Sequence, residues 1–209
     1  RRAPGFFDVV AYKGNGTAGH AVDHNLGVAP ELIIVKARNV TYNWYVYASG
    51  VGNTAALSLN QSSGSGTSTT YWNDTDPTDT NFSLGTFSQV NGTNQPFIAY
   101  LFATLPGISK VGSYTGNGTS QTIDCGFSTG ARFVLTKRIN VAGNWNVFDT
   151  ERGIVAGNDP RLELNLSDPE DTGHDYIDPD SSGFVVNYVA DNNDDANVSG
   201  DEYIFLAIA

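Results

Sequence analysis

Two stretches of the sequence group side chains closely enough to do chemistry. Asp191-Asn192-Asn193-Asp194-Asp195 sets side-chain oxygens at Asp191, Asn193 and Asp195, with the carboxylate of Glu202 eleven residues after the first. That is the spacing with which a helix-loop-helix Ca2+ site ligates its ion. Ala196 stands where such a loop needs glycine, and residues 203–209 read as a strand instead of a helix. The expectation is therefore a solvated acidic hairpin loop, with Ca2+ as the alternative and no other cofactor implied. The second stretch is Tyr71-Trp72-Asn73-Asp74, where aromatic faces that could stack on a sugar adjoin groups that hydrogen-bond hydroxyls. Trp72 reads first as a loop anchor, and Tyr71, Trp72, Asn73 and Asp74 together as the candidate ligand-binding site.

Other reactive residues are scattered. His20, His24 and His174 fall at unmatched places, and no Gly-x-Ser-x-Gly, His-Glu-x-x-His or phosphate-loop motif occurs. The lone Cys125 has no histidine near it in sequence and reads as a buried thiol. The acids of 168–180 lack a ligand spacing. These features point away from an enzyme.

The elements that must position these residues come from a repeat. Tyr12-Lys13-Gly14-Asn15-Gly16-Thr17 returns as Tyr114-Thr115-Gly116-Asn117-Gly118-Thr119. The flanks return with it: Pro30-Glu31-Leu32-Ile33-Ile34-Val35 as Ala131-Arg132-Phe133-Val134-Leu135-Thr136, and Asn43-Trp44-Tyr45-Val46-Tyr47 as Asn144-Trp145-Asn146-Val147-Phe148. The chain reads as an internal duplication with domains 1–104 and 105–209. In each, Asn-Gly is expected to turn a hairpin, so that residues 6–11 pair with 18–24. The apolar runs at 32–35 and 133–136 ask for burial on both faces and belong at the centre of a sheet. Trp44 with Trp145, and Leu59 with Leu164, are expected as interchangeable core framework. Short strands separated by Gly, Asn, Ser and Thr, with no helical period, make the fold class all-β: two tandem β-sandwich, jelly-roll-like units.

Composition narrows the partners. The net charge is -11, and residues 105–209 hold sixteen of the 22 acids, a surface that repels phosphate backbones and argues against nucleic acid. No apolar run approaches the ~20 residues of a membrane helix, so no membrane insertion is expected. The nine Asn-x-Ser/Thr sequons carry little weight in a chain so rich in these residues. Arg1 to Gly5 read as the tail of a linker, and the chain as a piece of a longer one.

A family likeness joins these observations. The runs at 1–12 (Arg-Arg-Ala-Pro-Gly-Phe-Phe-Asp-Val-Val-Ala-Tyr), 24–32, 100–118 and 203–209 resemble a domain of tailed-bacteriophage structural proteins. It is similar to the C-terminal part of tail-fibre or tail proteins, often preceded by a concanavalin-A-like lectin domain. The resemblance spans essentially the whole chain and implies a non-enzymatic virion component. It implies assembly in the host cytoplasm with other virion proteins and copies of itself, and a host-surface glycan as receptor. It supplies no catalytic or binding residues. A carbohydrate-binding module and a polysaccharide depolymerase domain are the alternatives.

Overall fold

The computed structural model describes residues 3–190 and 196–209. The chain forms two compact units, Arg1–Asn60 with Ser65–Thr104, and Leu105–Ala209 with Gln61–Gly64. Both are all-β and sandwich-like.

In the first unit, strands β1 (Phe7–Lys13), β2 (His20–Asp23), β3 (Leu32–Ala37), β4 (Tyr45–Ala48), β5 (Ala55–Ser58), β6 (Gly66–Thr67), β7 (Asn81–Leu84) and β8 (Pro96–Phe102) are joined by one helical turn, α1 (Ser88–Asn91). They form a six-stranded sheet, β1-β8-β3-β4-β5-β6, and a two-stranded sheet, β2-β7. The alternation of β8 decides its faces: Phe97, Ala99 and Leu101 are buried, whereas Pro96, Ile98, Tyr100 and Phe102 are half-buried. The inward set meets Ile33 and Val35 of β3 and Tyr45 and Tyr47 of β4, and closes on Val22, Phe82 and Leu84 of the small sheet. Burying such side chains is the main stabilisation of a sandwich.

The second unit contains β9 (Ser109–Thr115), β10 (Ser120–Asp124), β11 (Phe133–Arg138), β12 (Trp145–Asp149), β13 (Leu162–Glu163), β14 (Ile177–Asp180), β15 (Gly183–Asn187) and β16 (Glu202–Ile208). Its sheets run β13-β12-β11-β16-β9 and β10-β15-β14. Val134, Phe148, Phe205 and Ala207 of the larger sheet pack with Ile123, Ile177, Phe184 and Val186 of the smaller. The strand order β9-β16-β11-β12-β13 follows the same path as β1-β8-β3-β4-β5.

The expected hairpins do not form. β1 pairs with β8 and β2 with β7, while β9 pairs with β16 and β10 with β15. The repeated Asn-Gly stretch is a crossing that carries the chain from one sheet of its unit to the other. Its glycines serve separate needs. A Cβ on Gly14 would lie 2.4 Å from the Gly92 carbonyl oxygen, and one on Gly116 2.0 Å from that of Val198. Gly16 and Gly118 have φ of 71° and 75°, a region only glycine enters at little cost.

The tryptophans also part company. Trp145 is 1% exposed, whereas Trp44 is half-buried, stacked on Tyr100 with ring centroids 6.5 Å apart and with Lys36 Nζ 5.8 Å from its centroid. Tyr45 and Tyr47 fill the first core instead, because they sit on the inward face of β4. Leu59 and Leu164 are not core residues either: Leu59 is half-buried and Leu164 exposed. Their matched role lies in the main chain, where the Leu59 amide donates to the Trp44 carbonyl and the Leu164 amide to that of Trp145, both at 2.9 Å.

Candidate functional site

The Tyr71-Asp74 stretch is not an exposed platform. Trp72 is 2% exposed, its indole Nε1–H donates to the Ala55 carbonyl at 2.8 Å, and its ring meets Tyr47 edge-on at 5.9 Å. A ring with its face inside the core and its one donor satisfied has nothing to offer a sugar. Tyr71 is half-buried between Tyr45, with which it stacks at 5.6 Å, and Phe87, which it meets edge-on at 5.0 Å. Asn73 and Asp74 take positive φ of 56° and 46°, and Thr75 Oγ1 donates to the Asn73 carbonyl. The stretch is a tight turn anchored by its tryptophan, with only Asp74 exposed.

Of the acidic positions considered for Ca2+, Asp191, Asn193 and Asp195 lie outside the described residues. Glu202 is exposed at the start of β16, and its amide donates to Asn140 Oδ1 at 3.1 Å. Among the described residues no group of three or more His, Cys, Asp or Glu side chains is arranged to hold a metal. The other reactive groups have structural partners. Cys125 is buried, which pushes its thiol up to about 12, far from the range of a nucleophile. His20 Nδ1 lies 2.8 Å from Asn91 Oδ1, and His24 bridges the Thr78 carbonyl and the Leu26 amide.

The acidic loop of the second unit is built around an arginine. Arg161 is 5% exposed, 3.2 Å from Glu163 and 3.3 Å from Asp171, with its guanidinium 4.2 Å from the centre of the Tyr176 ring. Asp171 Oδ2 also receives the Tyr176 hydroxyl at 3.2 Å and lies 2.9 Å from His174 Nδ1. Nearby, Asp159 is fully buried and accepts the amides of Val155, Tyr176 and Ile177 at 3.2, 3.2 and 2.9 Å. Burial outweighs those bonds and raises its carboxyl to about 6. These groups pin the loop at 153–176 onto β14.

That pinning, with a glycine, shapes a cleft. Gly130 has φ of 80°, and a Cβ there would meet the Asp180 carbonyl oxygen at 2.7 Å. Its amide donates to Ser181 and that of Ala131 to Gly183, at 2.9 and 2.8 Å. The turn before β11 is thereby held against the turn between β14 and β15, and Ile154 is brought up beside them. Between these segments lies a cleft of about 310 Å³ lined by Thr129, Gly130, Ala131, Arg132, Thr150, Ile154, Pro179, Asp180 and Ser181. Gly130, Ala131 and Ile154 are buried and form its floor, whereas Thr129, Arg132, Thr150, Pro179 and Ser181 are exposed at its rim.

The rim presents donors and acceptors of several kinds. The Arg132 side chain is 66% exposed and only loosely paired, 3.9 Å from Glu151. Asp180 Oδ1 receives the Ser182 hydroxyl at 2.6 Å and the Ser182 amide at 2.8 Å, and these bonds hold its carboxyl below the usual range. Hydroxyls, one guanidinium and one ionised carboxylate over an apolar floor suit a small ligand rich in hydroxyls. None of these residues stood out in the sequence as a binding residue, and Asp180 counted there only among acids without a ligand spacing. One signal was there: Arg132 stands opposite Glu31 in the repeat, a reversal of charge at a matched place. In the first unit Glu31 is occupied by the Thr104 amide; in the second Arg132 is largely exposed, with only the loose contact to Glu151.

The fold defines an all-β protein of two sandwich units whose larger sheets share the order of five strands, the second unit carrying a cleft with an apolar floor and a polar rim. The chain belongs to the family described as domain of unknown function DUF7483, whose sequence profile matches residues 3–209 and so takes in both units. No curated protein matches it.

Proposed function

We propose that the chain is a non-enzymatic component of a bacteriophage particle, part of a tail fibre or another exposed appendage, and that it binds a host-surface glycan through the cleft of its second unit. The observation that carries the binding reading is the rim of Thr129, Arg132, Thr150, Asp180 and Ser181 around an apolar floor. Sugars are bound by such mixtures, with hydroxyls hydrogen-bonded at the rim and the ring's C–H face laid on apolar side chains. The phage reading rests on the resemblance of the sequence to tail proteins. Glycoside cleavage needs two carboxyl groups on either side of the scissile bond; the cleft lining holds one, Asp180, which favours binding over turnover. The order shared by five strands of the larger sheets supports an origin by duplication.

A glycan array with the intact chain, followed by Arg132→Ala and Thr150→Ala, tests the binding reading. Loss of on the order of 1–3 kcal/mol of affinity at an unchanged unfolding midpoint is the expected result. Binding that survives both changes would move the site elsewhere. Immunogold imaging of a phage carrying the protein tests the particle assignment separately.

A further inference from the structure

The repeated Asn-Gly crossings hold a reactive arrangement that the fold keeps closed. An asparagine followed by glycine is the pair most prone to spontaneous deamidation, because no side chain shields the glycine nitrogen. In that reaction the glycine amide gives its proton to water or hydroxide, and its nitrogen bonds to Cγ of the asparagine. The Cγ–Nδ2 bond breaks and ammonia leaves. Water then opens the succinimide at one carbonyl or the other, giving aspartate or isoaspartate.

Asn15 and Asn117 are both exposed, so water reaches their carboxamides. Their attacking nitrogens are nevertheless engaged. The Gly16 amide donates to the Asn91 carbonyl at 2.8 Å, and the Gly118 amide to the Asn197 carbonyl at 2.9 Å. The carboxamides are turned and held as well. Asn15 Oδ1 accepts the Thr17 amide at 2.8 Å and Asn91 Nδ2 at 3.3 Å; Asn117 Oδ1 accepts the Thr119 amide at 2.9 Å and Asn197 Nδ2 at 3.0 Å. Asn91 and Asn197 are both fully buried, so the clamp is part of each core.

We propose that Asn15 and Asn117 are latent deamidation sites, kept unreactive by Asn91 and Asn197, and that local opening of a crossing converts its asparagine to aspartate or isoaspartate. Isoaspartate lengthens the main chain by one methylene at the point where it passes between sheets, so conversion of an opened crossing keeps it from closing again. The proposal is independent of any glycan or particle role.

The two sites are controls for each other within one molecule. The chain is incubated in mildly alkaline buffer, digested, and the peptides carrying Asn15 and Asn117 are followed by mass spectrometry and isoaspartate detection. In the folded wild-type chain both sites react at least about tenfold more slowly than in the same chain unfolded in urea, since reaction waits on the open population. Asn91→Ala accelerates reaction at Asn15 about tenfold or more and leaves Asn117 slow; Asn197→Ala does the reverse. Should Asn91→Ala fail to fold, Tyr12→Phe decides. It removes only the hydroxyl that donates to the Val90 carbonyl at 2.6 Å, and should speed Asn15 several-fold while sparing Asn117. Wild-type reaction at either site as fast as in urea overturns the proposal, as does a folded Asn91→Ala or Tyr12→Phe chain with Asn15 no faster than Asn117, or a folded Asn197→Ala chain with Asn117 no faster than Asn15.

Discussion

Asn91 and Asn197 hold the same position in the two units: each is fully buried and each accepts, on Oδ1, the amide of the crossing asparagine, Asn15 or Asn117, at 2.9 Å. Each spends Nδ2 on the crossing and on the main chain of its own core. Asn91 donates to the carbonyls of Thr17 and Gly85 at 2.9 and 2.7 Å, Asn197 to those of Thr119 and Val186 at 3.0 and 3.2 Å. Removing either leaves one buried main-chain carbonyl, that of Gly85 or Val186, and the partly buried groups of the crossing unpaired, and such deficits cost more than the bonds themselves contribute. Asn91→Ala and Asn197→Ala should each destabilise their unit by roughly 3–5 kcal/mol, read as a lowered urea midpoint. A loss under about 1 kcal/mol would mean that water replaces the clamp.

Trp72 should behave as core. Trp72→Ala is expected to lower stability by about 3–5 kcal/mol, with the glycan binding proposed for the second unit unaffected once the chain is folded. Denaturant unfolding followed by circular dichroism measures the first and a glycan array the second. An unchanged midpoint would return Trp72 to the surface.

Asp159 links stability to pH. Its carboxyl rises from 3.8 to about 6 on folding, so between those values the folded chain binds more protons than the unfolded one. Stability from this group is fully present below about 3.8 and is lost as pH rises through about 6. The second unit should lose on the order of 2–3 kcal/mol across that window from this residue, and Asp159→Asn should flatten the profile. A wild-type and variant pair with parallel pH profiles would rule the effect out.

Arg161 is the buried charge on which the acidic loop depends. Arg161→Ala strands Glu163 and Asp171 in partly dehydrated surroundings and should cost roughly 3–5 kcal/mol. Limited proteolysis should then cut within 153–176, where the wild-type chain resists. Protection equal to wild type would show that Asp159 alone holds the loop.

Much of the fold was legible from residue order. Alternation and turn residues marked the β class, and the apolar runs at 32–35 and 133–136 lie on β3 and β11, third of six strands and third of five. Strand partners were not legible, because Asn-Gly sets only a local bend, and what β1 pairs with is decided by β8 at the far end of the unit. Trp72 misled because its polar neighbours turn outward while its ring turns in to meet Ala55. The cleft escaped notice because its lining comes from segments far apart in the chain, and only the Glu31 to Arg132 reversal left a trace within one aligned pair.

The placement of β8 and β16 bears on how the chain is made. Each closes its unit yet sits between strands laid down earlier, β8 between β1 and β3, β16 between β9 and β11. During synthesis β1 and β9 therefore emerge with unsatisfied edges, and their sheets stay divided until the final strand of the unit leaves the ribosome. Pairings this distant in sequence are slow to form and expose strand edges to wrong partners meanwhile. A ribosome stalled within 202–208 would hold a first unit already closed, tethered to a second whose β9 is still parted from β11.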